Sequence, residues 1–242
     1  MLVSKKFLGL LLTVVIATCG CSGGSSESLP TTSLAAPPTE QSADDSSAGD
    51  VVTTVPRIGG AERRAPVVPQ VELFPEVTFA TSLGDIRVRL NAEKAPETVD
   101  NFLYNYVKSG FYDGTIFHFV QDNYIAMGGG YDAELNAKEP SPPIRNEASN
   151  GLKNVHGTLA MSRQREFADS ATSQFYFNLA DNPNLDQTDA ENGKTSGYCV
   201  FGEIIEGIDV LQKIAKVQVS DSSEFSDVPV EPIVIKYVRR DK

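Results

Sequence analysis

The chain has 242 residues and a formal charge of −11, from 32 acidic against 21 basic side chains. No basic cluster stands along it to meet phosphates, which excludes nucleic acid as an expected partner. Of three cysteines two fall within the first 21 residues, so the remainder has no partner for an internal disulfide and must draw its stability from a core.

At the start, Lys5 and Lys6 precede an apolar run from Phe7 to Ala17, too short for a stable transmembrane helix but suited to a secretory signal. The run ends in Thr18-Cys19-Gly20-Cys21-Ser22-Gly23-Gly24. This resembles a bacterial lipoprotein cleavage box, in which a small residue precedes a cysteine that becomes lipidated. Gly20 before Cys21 fits that rule better than Thr18 before Cys19, so Cys21 is the preferred lipidation site and Cys19 the alternative. Residues 1–20 then read as signal peptide, and the protein as exported and membrane-anchored, facing the periplasm or cell exterior. From 21 to 70 the chain is rich in Ser, Thr, Ala, Pro, Gly and Asp, a composition that cannot bury enough surface to offset the entropy of ordering. It reads as a tether of about fifty residues with a root-mean-square span on the order of 40 Å.

Residues 71–242 remain for one domain, enough for a single sizeable core and expected to be monomeric. Val77 to Thr81 and Asp85 to Leu90, joined through Ser82-Leu83-Gly84, read as a hairpin, with Ile86, Val88 and Leu90 alternating against Arg87 and Arg89. Pro96 opens a helix in which Val99, Phe102, Leu103, Tyr106 and Val107 share one face and Gly110 is the stop. Short apolar stretches follow at 115–120, 124–127, 158–161, 174–179, 198–203 and 233–238, a spacing that predicts a closed antiparallel β-barrel. Ile208, Leu211, Ile214 and Ala215 mark a second amphipathic helix behind Gly207.

A family resemblance then begins in Phe117-His118, Tyr124-Ile125 and the run Gly128-Gly129-Gly130, and four further ordered blocks carry it: Gly157 to Arg163, Ser170 to Asp181, Asn184 to Asp186 and Gly197 to Glu203. Together they resemble the cyclophilins, peptidyl-prolyl cis-trans isomerases, and in particular exported bacterial members. The resemblance implies a mostly β fold, an eight-stranded closed antiparallel barrel with two capping α-helices. It implies a pocket for a proline ring at Tyr124, Ile125, Tyr176, Leu185 and Tyr198, with Gln174 binding the substrate backbone, Arg163 at the pocket edge and Ser162 also among the substrate-binding residues. Phe119 stands where the family keeps its catalytic Arg, and Met127 where it keeps a supporting Gln.

An X-Pro bond turns slowly because resonance stiffens its C–N bond, with a barrier near 20 kcal/mol. In the family the Arg donates to the imide nitrogen as conjugation is lost, which is stabilisation aimed at the transition state without nucleophile, metal or cofactor. Phe119 offers neither charge nor donor, so the expectation is a prolyl isomerase with weakened turnover that acts on exported proteins. The alternative is a membrane-tethered binding module or chaperone for proline-containing segments, without catalysis. Arg163 is the family-placed Arg close enough to substitute. His118 would suit a general base in isolation, but the resemblance makes it a packing residue; His156 precedes a turn and is expected in solvent. Neither has a ligand-spaced partner, so no metal site is expected. The Gly128 run lacks the Lys-Ser/Thr of a phosphate loop, and no Gly-x-Ser-x-Gly elbow is present.

Overall fold

The structure, a computed structural model, describes residues 72–222 and 224–242, so the assignments of signal peptide, Cys21 and tether lie outside the described residues. Among the described residues no helix is long and apolar enough to cross a membrane.

The hairpin forms as its alternation requires. Strand β1 (Glu76–Thr81) pairs antiparallel with β2 (Gly84–Leu90), and Val77, Phe79, Ile86, Val88 and Leu90 turn to one side, fully buried. Six further strands complete the cylinder: β3 (Thr115–Gln121), β4 (Ile125–Gly128), β5 (Thr158–Met161), β6 (Phe175–Asn178), β7 (Val200–Glu206) and β10 (Ile233–Arg240). They close in the order β1-β10-β3-β4-β6-β5-β7-β2, each neighbouring pair antiparallel, as the spacing of apolar stretches predicts. The interior holds Phe79, Phe117, Phe175, Phe177 and Phe201, with Phe79 meeting Phe175 and Phe177 edge-on at 5.3 Å. Burying each such ring contributes about 1.5–3 kcal/mol.

The first predicted helix is real but not uniform. It begins as α1 (Pro96–Asp100) and continues as a π-helical stretch over Asn101–Val107, where the Lys108 N–H reaches the Leu103 carbonyl five residues back at 2.8 Å. Apolar spacing cannot separate these two windings, because Phe102, Leu103, Tyr106 and Val107 stay on one buried face in either. The helix start takes its cap from a distant loop. Glu147 accepts from the Thr98 N–H at 2.8 Å, the Thr98 hydroxyl at 2.7 Å and the Glu97 N–H at 3.2 Å. Helix α2 (Ile208–Ala215) lays Val210, Leu211 and Ile214 on the same interior cluster. A short pair not foreseen from the sequence, β8 (Val219–Ser220) with β9 (Val228–Pro229), lies outside the barrel, and nearby the Asp227 carbonyl accepts from the Val120 N–H at 2.9 Å.

One irregularity in β3 shapes the outer surface. Phe117 pairs with Gly128 but Phe119 pairs with Met127, so β3 carries one residue more than β4 at this point. Strict alternation would send Phe117 and Phe119 to the same side. The bulge instead leaves Phe117 and Val120 in the barrel core and puts Phe119 in a second apolar cluster. His118, the extra residue, is buried beneath Tyr131 and Phe225, with ring centroids 4.6 and 6.4 Å away. Its Nδ1 has no hydrogen-bond partner, and burial pulls its pKa down to about 4.

A folded-state pKa below the unfolded value means that His118 costs nothing above pH 6.5 and destabilises as pH falls toward 4, because only the unfolded chain takes up the proton. Urea unfolding of the native protein and of His118→Phe at several pH values checks this. The native protein should lose up to about 3 kcal/mol more than the variant between pH 6.5 and 4; parallel profiles would contradict it.

Candidate functional site

The second cluster sits on the outer face of the barrel and is built by cross-strand register. Phe119 on β3 pairs with Met127 on β4, Met127 with Tyr176 on β6, Tyr176 with Ala160 on β5, and Ala160 with Val200 on β7. All five belong to one apolar cluster, so they form a continuous row across five strands. Ile125 and Leu185 are buried in the same cluster, while Tyr124, Tyr198 and Leu152 pack on it half-exposed. Every residue that the resemblance assigns to the proline pocket is thereby brought together. Phe119 and Met127, far less conspicuous as a pair in sequence, are direct neighbours on adjacent strands.

Alternation along β6 explains why Tyr176 is available here. Phe175 and Phe177 turn into the barrel, Tyr176 outward, and Gln174 precedes Tyr176 by two positions. Gln174 lies against Gly130 so closely that a Cβ there would come within 2.7 Å of the Gln174 Cγ. The glycine run therefore makes room for a side chain and for the ring of Phe175, which a Cβ on left-handed Gly129 (φ +81) would approach to 2.7 Å. The Ser162 N–H donates to the Gln174 carbonyl at 2.9 Å, placing Ser162 beside it.

Three phenols meet at this surface. The Tyr176 hydroxyl is buried and donates to Asn154 Oδ1 at 2.8 Å, and burial, with Tyr198 and Tyr124 nearby, pushes its pKa well up. Burial also raises that of Tyr124, with Tyr198 adding to the shift, while a hydrogen bond with Asn184 and the charge of Arg165 oppose it. Tyr176 and Tyr124 are thus neutral surfaces at ordinary pH, and the Tyr198 ring meets Tyr176 edge-on at 6.0 Å.

Behind them lies a buried amide network that the sequence reading missed. Asn154 donates to Asp186 Oδ1 at 3.1 Å and to the Tyr198 carbonyl at 3.4 Å. Asn178 donates to Asn154 Oδ1 and to the Thr158 hydroxyl, and Asn182 to Asn178 Oδ1 and the Tyr124 carbonyl. One connected set of bonds therefore ties the backbones of Tyr124 and Tyr198 to the hydroxyl of Tyr176. Ala160, Val200 and Leu152 were also missed. Ala160 had a signal, since alternation between the buried Leu159 and Met161 marks it as the outward residue of β5.

Arg163 stands at one edge, its guanidinium carbon 4.7 Å from the centroid of the Tyr198 ring. His156 is exposed, and Cys199, directly after Tyr198, is buried with its thiol pushed up to about 12 by burial, which makes it inert. Among the described residues no group of three or more His, Cys, Asp or Glu is placed to hold a metal ion. A cavity of about 520 Å³ shares Leu152 and Val200 with the cluster and is otherwise lined by groups such as Phe74, Leu90 and Val155, none of them assigned to the pocket. The half-exposed members of the cluster are Phe119, Tyr124, Met127, Leu152 and Tyr198. Neither Phe119 nor Met127 brings an N–H donor or a charge in its side chain.

Residues 76–240 match the family of cyclophilin type peptidyl-prolyl cis-trans isomerase/CLD. Peptidyl-prolyl cis-trans isomerase A of Dickeya dadantii is 45% identical over 160 residues, covering 66% of this chain and 81% of that protein. Peptidyl-prolyl cis-trans isomerase B of Escherichia coli is 46% identical over 162 residues, covering 67% of this chain and 97% of that one. Among solved structures, a cyclophilin type isomerase of Cryptosporidium parvum superposes with a TM-score of 0.56 at 24% identity, covering 70% of this chain and 98% of that one. It has also been solved in the presence of the dipeptide Ala-Pro.

Proposed function

The chain belongs to the cyclophilin type peptidyl-prolyl cis-trans isomerase family, and from that premise we propose that it is a lipid-anchored member that binds proline-containing segments of exported proteins and turns them over slowly. The observation that carries the reading is the direct pairing of Phe119 with Met127 at one end of an otherwise complete apolar row. Both members of the family's donor pair are replaced, and both replacements are apolar.

The row supports binding. Tyr124, Ile125, Tyr176, Leu185 and Tyr198 surround an apolar surface suited to a pyrrolidine ring, with Ser162 and Gln174 alongside for a substrate backbone. What is lost is help for the twisted imide. Removing one preorganised donor of this kind costs about 3–4 kcal/mol, a factor of several hundred in rate. Desolvation and positioning by the walls remain, and these are the sources of the residual turnover.

Export and anchoring rest on the sequence: Lys5-Lys6, the apolar run to Ala17 and Gly20 before Cys21. Residues 71–242 then form the working domain at the end of a tether about fifty residues long. A single acyl chain holds a protein only marginally, whereas the multiple chains of a lipoprotein cysteine hold it durably.

Restoring the donor pair tests the catalytic part. Phe119→Arg should raise kcat/KM on an Ala-Pro-Phe type peptide about tenfold, and Met127→Gln alone should change it little. Together they should give about a hundredfold, more than the product of the two, because an Arg without its polar neighbour is held loosely. A native protein that already matches its unsubstituted relatives, or a double variant no faster than either single one, would contradict the proposal. For the anchor, metabolic lipid labelling of Cys21→Ser should give an unlabelled protein released from the membrane; retained label would assign the lipid to Cys19.

A further inference from the structure

Arg163 invites the idea that it replaces the missing donor, since it is a cation beside the pocket. Its hydrogen bonds point elsewhere. Nε donates to the Gly197 carbonyl at 2.7 Å, and Nη1 donates to the carbonyls of Gln164 and Arg165, both at 3.0 Å. Nη2 has no hydrogen-bond partner, but it is buried. An atom that solvent cannot touch is equally closed to the imide nitrogen of a bound peptide. No nitrogen of Arg163 is therefore presented to the groove.

We propose that Arg163 is a positioning residue that holds Tyr198 as a wall of the proline pocket and does not donate to the substrate. This rests on the reading of the groove as a proline-peptide site. The segment that carries Tyr198 is clamped from several elements at once. Asn146 donates to the carbonyls of Ser196 and Gly197 at 3.1 and 3.2 Å, and Gln187 to that of Ser196 at 3.2 Å. The Tyr198 N–H donates to the Leu185 carbonyl at 3.0 Å. Gly197, at φ +70, packs so tightly that a Cβ would come within 2.4 Å of the Gln187 nitrogen.

Those bonds fix the backbone of Tyr198 and leave its ring to be located by contact. The ring meets Tyr176 edge-on at 6.0 Å and carries the guanidinium of Arg163 at 4.7 Å. Only a planar cation can stack on the ring while its in-plane N–H groups reach three carbonyls. Lysine, a point charge on a flexible stem, cannot do both. Arg163 thus transmits the order of the loop at 164–165 and of Gly197 to the aromatic wall 35 residues away in the chain.

The experiment uses the full chain labelled with fluorotyrosine, with the Tyr198 fluorine resonance assigned through Tyr198→Phe. In Arg163→Ala and Arg163→Lys that resonance should shift and broaden while the remaining tyrosines hold. The Kd of the dipeptide Ala-Pro should rise about tenfold in both, with kcat/KM on a proline peptide falling by the same factor. An unmoved Tyr198 resonance, or full retention of affinity in Arg163→Lys, overturns the proposal. So does a loss of kcat/KM at unchanged Kd, which would make Arg163 the donor. Should neither variant fold, Tyr198→Leu in the native background should show the same loss of affinity, and unchanged affinity there overturns it. If the native protein binds no proline peptide at all, the functional reading fails, and the Tyr198 resonance still decides the role of Arg163.

Discussion

Closing the sheet on itself around a set of phenylalanine rings is the constraint from which the rest follows. Once Phe79, Phe117, Phe175, Phe177 and Phe201 are committed to the interior, the period-two geometry of a strand decides what its neighbours do. Tyr176 must face out because Phe175 and Phe177 face in, and Ala160 because Leu159 and Met161 do. The outer row is therefore the complement of the core. Its position needs no interaction of its own beyond those that close the barrel.

Of the four register shifts in the barrel, the bulge at His118 is the one that falls at the end of the row where the donor pair would stand. It moves Phe119 from the side of Phe117 to the side of Met127. On the proposed reading, a fold that keeps such a device while placing an apolar ring on it retains the geometry of a catalyst without the group that the geometry serves. The amide network of Asn154, Asn178 and Asn182 fits the same picture. Buried amides with several partners each are costly to keep unless satisfied, and here they hold Tyr124, Tyr176 and Tyr198 in one arrangement. On the proposed reading the walls are organised for a ligand, and what is weakened is the chemistry performed on it.

The sequence discloses elements more readily than relations between them. Alternation in β2 and β6 and the apolar face from Val99 to Val107 were legible because each is a local pattern with one structural solution. Blocks in family order brought the pocket residues into view. The bulge was not legible, since one extra residue shows only against a partner strand, and periodicity along β3 alone gives no register. Nor was the capping of α1 by Glu147, fifty residues from Glu97, or the ties from Arg163 to Gly197. The π-helical stretch escaped for a different reason: its apolar residues satisfy both windings equally.

The central claim is that this groove keeps recognition and has lost most of its turnover, because Phe119 and Met127 meet where a donor and its support belong. Exchange NMR on a proline peptide, with the native protein added at a low molar ratio, examines both halves in one sample. The account predicts that resonances of Tyr124, Tyr176 and Tyr198 move on peptide addition while cis-trans exchange of the peptide speeds up only slightly. Exchange as fast as that produced by the Escherichia coli relative under the same conditions would contradict it.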